Sequence, residues 1–223
     1  MLENCKHVFK LDPNKTISDA HLERLCESET DLIIVGGTDG VTETNVLDLM
    51  SRIRRFMKPV ALELSNLEAV VPGFDHYFVP AVFNTKDMKF LHGMLLEALE
   101  RYAHLLDYDT ISLMPYLIFN EECKAYKYAN CEPINRENMA YYIQLIDKMY
   151  RQKYMYIEFS GTLAEKELLQ DIYETKTNVH MIYGGGIDSK EAFDERAPFA
   201  DTLVVGNLIY EDFEAALNTV IRS

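Results

Sequence analysis

Val179 to Ile187 reads VHMIYGGGI, and Thr202 to Asn207 repeats the device as TLVVGN. Each is an apolar, β-branched run that ends in glycine and is followed at once by a segment of helical character. A strand that ends this way hands a ligand to the turn before a helix. The consecutive glycines Gly184 to Gly186 take every Cβ out of that turn, so backbone N–H groups can close around an oxyanion. Gly206 and Asn207 offer the same on the following strand. Two neighbouring glycine-ended strands, late in a chain of 223 residues, match the phosphate site built by the last two βα loops of a (β/α)8 barrel.

That length suits one core and runs slightly short of the roughly 250 residues usual for such a barrel, so a single domain spanning 1–223 is expected. The four cysteines, Cys5, Cys26, Cys123 and Cys131, have no CxxC spacing and no histidine partners at zinc-ligand distances. They read as reduced thiols in a cytoplasmic protein. The start, MLENCKHVFKLD, lacks a cationic-then-apolar leader, and no apolar run reaches the roughly 18 residues that span a bilayer. A soluble protein is expected, with at most peripheral membrane contact. A formal net charge of −14 argues against nucleic acid as a partner, since binding phosphate backbones takes clustered Lys and Arg. An acidic protein with anionic substrates needs a locally positive pocket, made by lysines, backbone amides, helix N-termini or a metal ion.

Strand-like and helix-like segments alternate along the chain, which favours a parallel α/β sheet. Strands are expected at Val8–Asp12, Leu32–Val35, Val60–Leu64, Tyr77–Pro80, Ser112–Phe119 and Tyr154–Phe159, before the two glycine-ended ones. Helices are expected at Ser18 (as cap) to Glu27, Glu43–Phe56 with Thr42 as cap, Lys86–Leu106, Arg136–Tyr150, Ala164–Glu174, Ser189–Ala197 and Tyr210–Ile221. Between strands three and four lies only SNLEAVVPGFDH, too short for a crossover helix with its loops. The expected fold is therefore a modified TIM barrel whose third helix is replaced by a loop or extended segment.

Period-two alternation puts Val8, Lys10 and Asp12 on one face of the first strand and Phe9 and Leu11 on the other. If the apolar pair packs on helices, Lys10 and Asp12 point into the barrel near its C-terminal rim. Lys10 is then either an anion ligand or half of an internal pair with Asp12 or a glutamate. On strand six, Tyr154, Tyr156, Glu158 and Ser160 share a face opposite Met155, Ile157 and Phe159. Glu158 at the rim reads as a general base for a hydroxyl or as a structural partner of Lys10. Glu63 is a second inward carboxylate without an evident purpose. The GGTDG loop, Gly36 to Gly40, lacks the GK[ST] ending of a P-loop. Its Thr38 could share a magnesium ion with Asp12, or simply be a turn residue. The six histidines form no ligand cluster and read as structural or surface. The helix Lys86–Leu106 is apolar beyond one stripe, through Phe90, Leu91, Met94, Leu95, Leu96, Ala98, Leu99, Tyr102, Leu105 and Leu106. That surplus implies a partner helix in a dimer, extra core, or a groove for a hydrophobic ligand beside the missing third helix.

The blocks KHVFKLDPNK, VGGTDGVTETNVL, VVPGFDHYFVP, YIEFSG, YGGGI and VVGNLIYEDF, in this order along nearly the whole chain, resemble the PcrB family of heptaprenylglyceryl phosphate synthases, relatives of the archaeal geranylgeranylglyceryl phosphate synthases. The resemblance implies a modified (β/α)8 barrel and a homodimer. It also implies transfer of a prenyl chain from heptaprenyl diphosphate to the C3 hydroxyl of sn-glycerol 1-phosphate, with Mg²⁺. By the same resemblance Lys10 contacts the glycerol phosphate, while Asp12 and Thr38 hold magnesium. Tyr156, Ile157, Glu158, Phe159, Ser160 and Gly161 wrap the acceptor, with Glu158 as base on its hydroxyl. Gly186, Gly206 and Asn207 complete the phosphate cup, and Ala98 leaves the prenyl groove open for a long donor. The competing readings are another phosphate-binding barrel enzyme and a non-catalytic phosphate-binding module.

Overall fold

The computed structural model describes residues 1–105 and 107–220, Leu105 through its backbone alone. Eight parallel strands close in sequence order: β1 (His7–Leu11), β2 (Leu32–Val35), β3 (Val60–Glu63), β4 (His76–Val82), β5 (Ile111–Ile118), β6 (Tyr154–Glu158), β7 (His180–Gly184) and β8 (Thr202–Val205). β8 returns to β1 with Val8 opposite Val204, so no edge is left unpaired. This is a TIM barrel.

Strand alternation divides the apolar side chains into two layers. Phe9, Leu11, Ile33, Val35, Met155 and Ile157 face outward into the core shared with the helices. Val8, Ile34, Ala61, Phe78, Met114, Tyr154 and Ile182 fill the lumen, and Leu2, on a short 3-10 turn, packs into the same cluster. The lumen is therefore solid below and open for chemistry only at the C-terminal rim.

The helices begin where short polar side chains cap them. Ser18 caps α1 (Asp19–Glu27), and Thr42 forms a reciprocal box with Asn45 at α2 (Glu43–Ile53). Between β3 and β4 there is a single 3-10 turn, Leu67–Ala69. That segment is not empty space, because Ala69, Val71 and Phe74 are buried in the outer core.

The long apolar helix begins with a π-helical turn, Lys89–Gly93, and continues as α3 (Met94–Tyr102) and a 3-10 turn. Leu106, its expected end, lies outside the described residues. α4 (Lys124–Tyr128) was not anticipated; Cys123 caps it. α5 (Met139–Gln144) starts later than Arg136, because the Asn135 side chain holds the Asn138 amide in a turn before the helix; a π-helical turn, Leu145–Met149, extends it. α6 (Lys166–Thr175) and α7 (Lys190–Arg196, capped by Ser189) follow β6 and β7. After β8 the chain makes α8 (Leu208–Glu211) and α9 (Phe213–Asn218) instead of one helix, broken at Asp212, whose side chain caps α9. Ile221, the expected end, is outside the described residues.

Candidate active site

The rim holds two chambers. The larger, about 490 Å³, is lined by Lys10, Asp12, Thr38, Glu158 and the glycine-rich ends of β7 and β8. The smaller, about 140 Å³, is mostly apolar, with Pro80, Val82, Phe90, Met94, Ala125 and Tyr128 in its wall. Lys10, Gly37, Thr38, Glu158 and Ser160 line both. These five residues are the junction, and four of them carry side-chain hydrogen-bonding groups.

Lys10 reaches the rim from β1 as the alternation requires, but its partner is Glu63. Its Nζ donates to Glu63 Oε1 at 2.8 Å and Oε2 at 3.0 Å. Burial alone would lower the Lys10 pKa, yet Glu63, then Glu158, hold it above the usual value. Glu158 takes a different set of partners: Oε1 accepts from the Ser160 amide at 2.7 Å and the Ser160 hydroxyl at 2.8 Å. Burial raises its carboxyl above the ordinary carboxylate range, against the pull of Lys10 and Ser160. A carboxylate so raised is a stronger base than one in water.

Tyr156 lines the larger chamber beside Glu158, and Gly161 bends the chain away after Ser160. Ile157 and Phe159 point the other way, into the outer core, so their side chains stay out of both chambers. Gly186 sits at φ +63°, and a Cβ there would lie 2.2 Å from the backbone of Thr162 and Leu163. Its glycine is therefore required by the close packing of the β6–α6 loop as much as by any ligand. Gly206 and Asn207 close the chamber from β8. Ala98 is buried on α3, one turn beyond Met94 on the same face.

Three residues of this site escaped the sequence reading. Lys15 brings a second cation to the glycine end, where its Nζ donates to Asn207 Oδ1 at 3.0 Å and lies 4.8 Å over the Tyr210 ring. Tyr210 accepts the Asp12 amide at 2.9 Å, fixing the turn after β1. Tyr116 donates to Glu63. For Lys15 there was a signal in KLDPNK, a second lysine just past a DP turn. For the two tyrosines, which look like core residues, there was none.

Among the described residues no three His, Cys, Asp or Glu side chains cluster as a self-sufficient metal site. A hard cation that keeps most of its ligands as water and phosphate oxygens asks for less, a carboxylate and a hydroxyl. Asp12 and Thr38 fit that need. A Cβ on Gly37 would fall 2.5 Å from Asp12 Oδ1, so this glycine alone lets the β2–α2 loop lie on the carboxylate. Charge points the same way: Asp12, Glu158, Asp188 and Glu211 line the larger chamber against Lys10. Anionic ligands there need added positive charge.

The PcrB family model matches residues 1–223. The chain belongs to the PcrB family. Its fold is similar to that of (S)-3-O-geranylgeranylglyceryl phosphate synthase from Thermoplasma acidophilum, in complex with substrate sn-glycerol-1-phosphate. The TM-score is 0.84 at 20% identity, over 98% of this chain and 93% of that one. GGGPS from Thermoplasma volcanium gives 0.83 at 24%, over 97% and 92%. Thiamine phosphate pyrophosphorylase from Pyrococcus furiosus gives 0.54 at 10%, over 97% and 94%. At these identities the likenesses to solved structures establish the barrel of this PcrB-family chain and nothing finer.

Proposed function

We propose that this protein is a Mg²⁺-dependent prenyltransferase, a homodimer in the cytoplasm, that moves a heptaprenyl chain from its diphosphate to the C3 hydroxyl of sn-glycerol 1-phosphate. The products are ether-linked heptaprenylglyceryl phosphate and pyrophosphate. One observation carries the reading: a polar, glycine-lined chamber meets an apolar chamber at a buried glutamate and a half-buried lysine. Joining a small phosphorylated alcohol to a hydrocarbon needs that combination.

In this reading the acceptor's phosphate lies against Gly186, Gly206 and Asn207, and its far end reaches the junction. Holding the acceptor by its tail turns attack on the donor into an effectively intramolecular step. Glu158 takes the proton of the C3 hydroxyl, the oxygen bonds to the prenyl C1, and the C1–O bond to diphosphate breaks as pyrophosphate departs. A magnesium ion bound by Asp12 and Thr38 would supply positive charge against the leaving pyrophosphate. Lys10, lining both chambers, offers its remaining donor to either phosphate group.

The prenyl chain occupies the apolar chamber and, being far longer than it, continues along α3. There Phe90, Leu91, Met94, Leu95 and Leu99 are half-buried and Leu96 is 60% exposed. Ala98, small and facing the same side as Met94, leaves that path open. The remaining exposed apolar surface, including Tyr141, Leu145 and Met149 at helical spacing, suits a second copy of the chain. No helix among the described residues is long and apolar enough to cross a membrane.

The test is to incubate the pure protein with labelled sn-glycerol 1-phosphate and prenyl diphosphates of several lengths, with and without Mg²⁺, and count label in the organic phase. Label extracted only with Mg²⁺, and most with the heptaprenyl donor, is the expected result. No extractable label with any donor refutes the reaction.

A further inference from the structure

The proposed reaction gives Glu63 no task, yet this carboxylate is held on every side. It closes β3, accepts both Lys10 contacts, and accepts a third hydrogen bond from the Tyr116 hydroxyl on β5. Tyr116 cannot swing away freely, because its ring stacks on Tyr156 with centroids 4.4 Å apart and planes 14° from parallel. Lys10 thereby commits two of its three N–H donors to Glu63. Glu158 receives hydrogen bonds from Ser160, while its interaction with Lys10 acts through space.

We propose that Glu63, fixed by Tyr116, is a positioning residue that holds Lys10 off Glu158, so that the base meets the acceptor hydroxyl without an ammonium group bonded to it. The proposal rests on the reading of Glu158 as base. An ammonium in direct contact would occupy the oxygen that must receive the proton and would weaken the base. The groups facing Glu158 are Lys10 from β1, Glu63 from β3, Tyr116 from β5, Cys123 from the loop beyond it, Tyr156 beside it on β6 and Tyr183 from β7. Lys10 is the cation among them, so its placement sets how far the effect of burial on Glu158 is offset.

Glu63→Gln keeps the volume and one acceptor oxygen but removes the charge. Two changes follow in the same direction: a negative neighbour of Glu158 is lost, and Lys10 turns toward Glu158. Both favour ionised Glu158, so its titration moves to lower pH. Carbon-13 NMR of glutamate-labelled protein, with the Glu158 signal identified by its loss in Glu158→Gln, should show the midpoint lowered by about one pH unit or more. The acidic limb of kcat should move with it, and kcat should fall about three- to tenfold with little change in KM for sn-glycerol 1-phosphate. Tyr116→Phe removes a hydroxyl and no charge, and should act in the same direction by less.

A Glu63 that serves only packing would lower Tm in both variants while leaving the midpoint and the limb in place, and that result overturns the proposal. If Glu63→Gln fails to fold, the midpoint in Tyr116→Phe decides alone, an unmoved one overturning it. The NMR midpoint needs no turnover. Absence of prenyl transfer by the wild type therefore refutes the reaction, whereas an unmoved Glu158 refutes the role of Glu63.

Discussion

Tyr183→Phe should loosen the glycine-lined end of the site by removing a single oxygen. Tyr183 is fully buried on β7, and its hydroxyl accepts the Ala164 amide at 2.9 Å and donates to the Gly185 carbonyl at 2.7 Å. Burial pushes the phenol up to about 12, so it stays a neutral donor across the working pH range. It therefore ties the β6–α6 loop to the glycine turn after β7, the two segments whose backbones already touch at Gly186. Phenylalanine leaves two backbone groups without partners, each at about 1–3 kcal/mol, hence about 2–6 kcal/mol in all. For a chain of this size, at about 2–4 °C per kcal/mol, this lowers Tm by roughly 4–24 °C. A glycine turn free to shift should also raise KM for sn-glycerol 1-phosphate on the order of tenfold. Differential scanning calorimetry reads the first effect and initial rates the second. An unchanged Tm together with an unchanged KM would falsify the tie.

Glu158→Gln should retain sn-glycerol 1-phosphate binding by calorimetry while turnover falls about 100-fold or more; a wild-type rate removes Glu158 from the mechanism. The same variant should be more stable at neutral pH. A carboxyl raised by burial contributes stability at low pH that is lost as pH rises through its folded midpoint, so its charge is a burden at pH 7. The Tm gain should shrink as pH falls toward the ordinary value of 4.5, and a lower Tm at pH 7 contradicts the sign. For the cation, added Mg²⁺ should raise the Tm of the wild type but not of Asp12→Asn, and Thr38→Val should need more Mg²⁺ for half-maximal turnover; equal Mg²⁺ responses in all three would remove both residues from the metal site. Ala98→Trp should lower kcat/KM for heptaprenyl diphosphate while sparing shorter donors, at about 1–3 kcal/mol of overpacking; an unaltered preference for the long donor places the chain elsewhere.

The barrel was legible because its signals are local. β-branched runs, caps at Ser18 and Thr42, and glycine ends each speak for a few residues, and a dozen residues between β3 and β4 cannot hide a helix. Alternation on β1 and β6 likewise put Lys10 and Glu158 inside and Ile157 and Phe159 outside. Boundaries failed where a side chain outside the pattern intervened, as with Asn135 before α5 and Asp212 between α8 and α9. The segment expected in place of the third helix is indeed no helix, but it does not leave bare barrel beside it: it still buries Ala69, Val71 and Phe74, because an exposed strip of barrel draws apolar side chains onto it.

What no local pattern could give is the pairing inside the rim. Lys10 can be matched, by periodicity, with Asp12, Glu63 or Glu158, since alternation puts all of them on the inward face. The choice is made by closure of the barrel, which sets Glu63 within reach of Lys10 and lets Ser160, two residues after Glu158, satisfy that carboxylate first. Burial then amplifies the difference. A lysine committed to one of two buried carboxylates leaves the other poorly compensated, and desolvation raises the proton affinity of the uncompensated one. The proposed division into base and partner thus rests on which carboxylate the ammonium reaches, a pairing encoded 53 residues away on another strand.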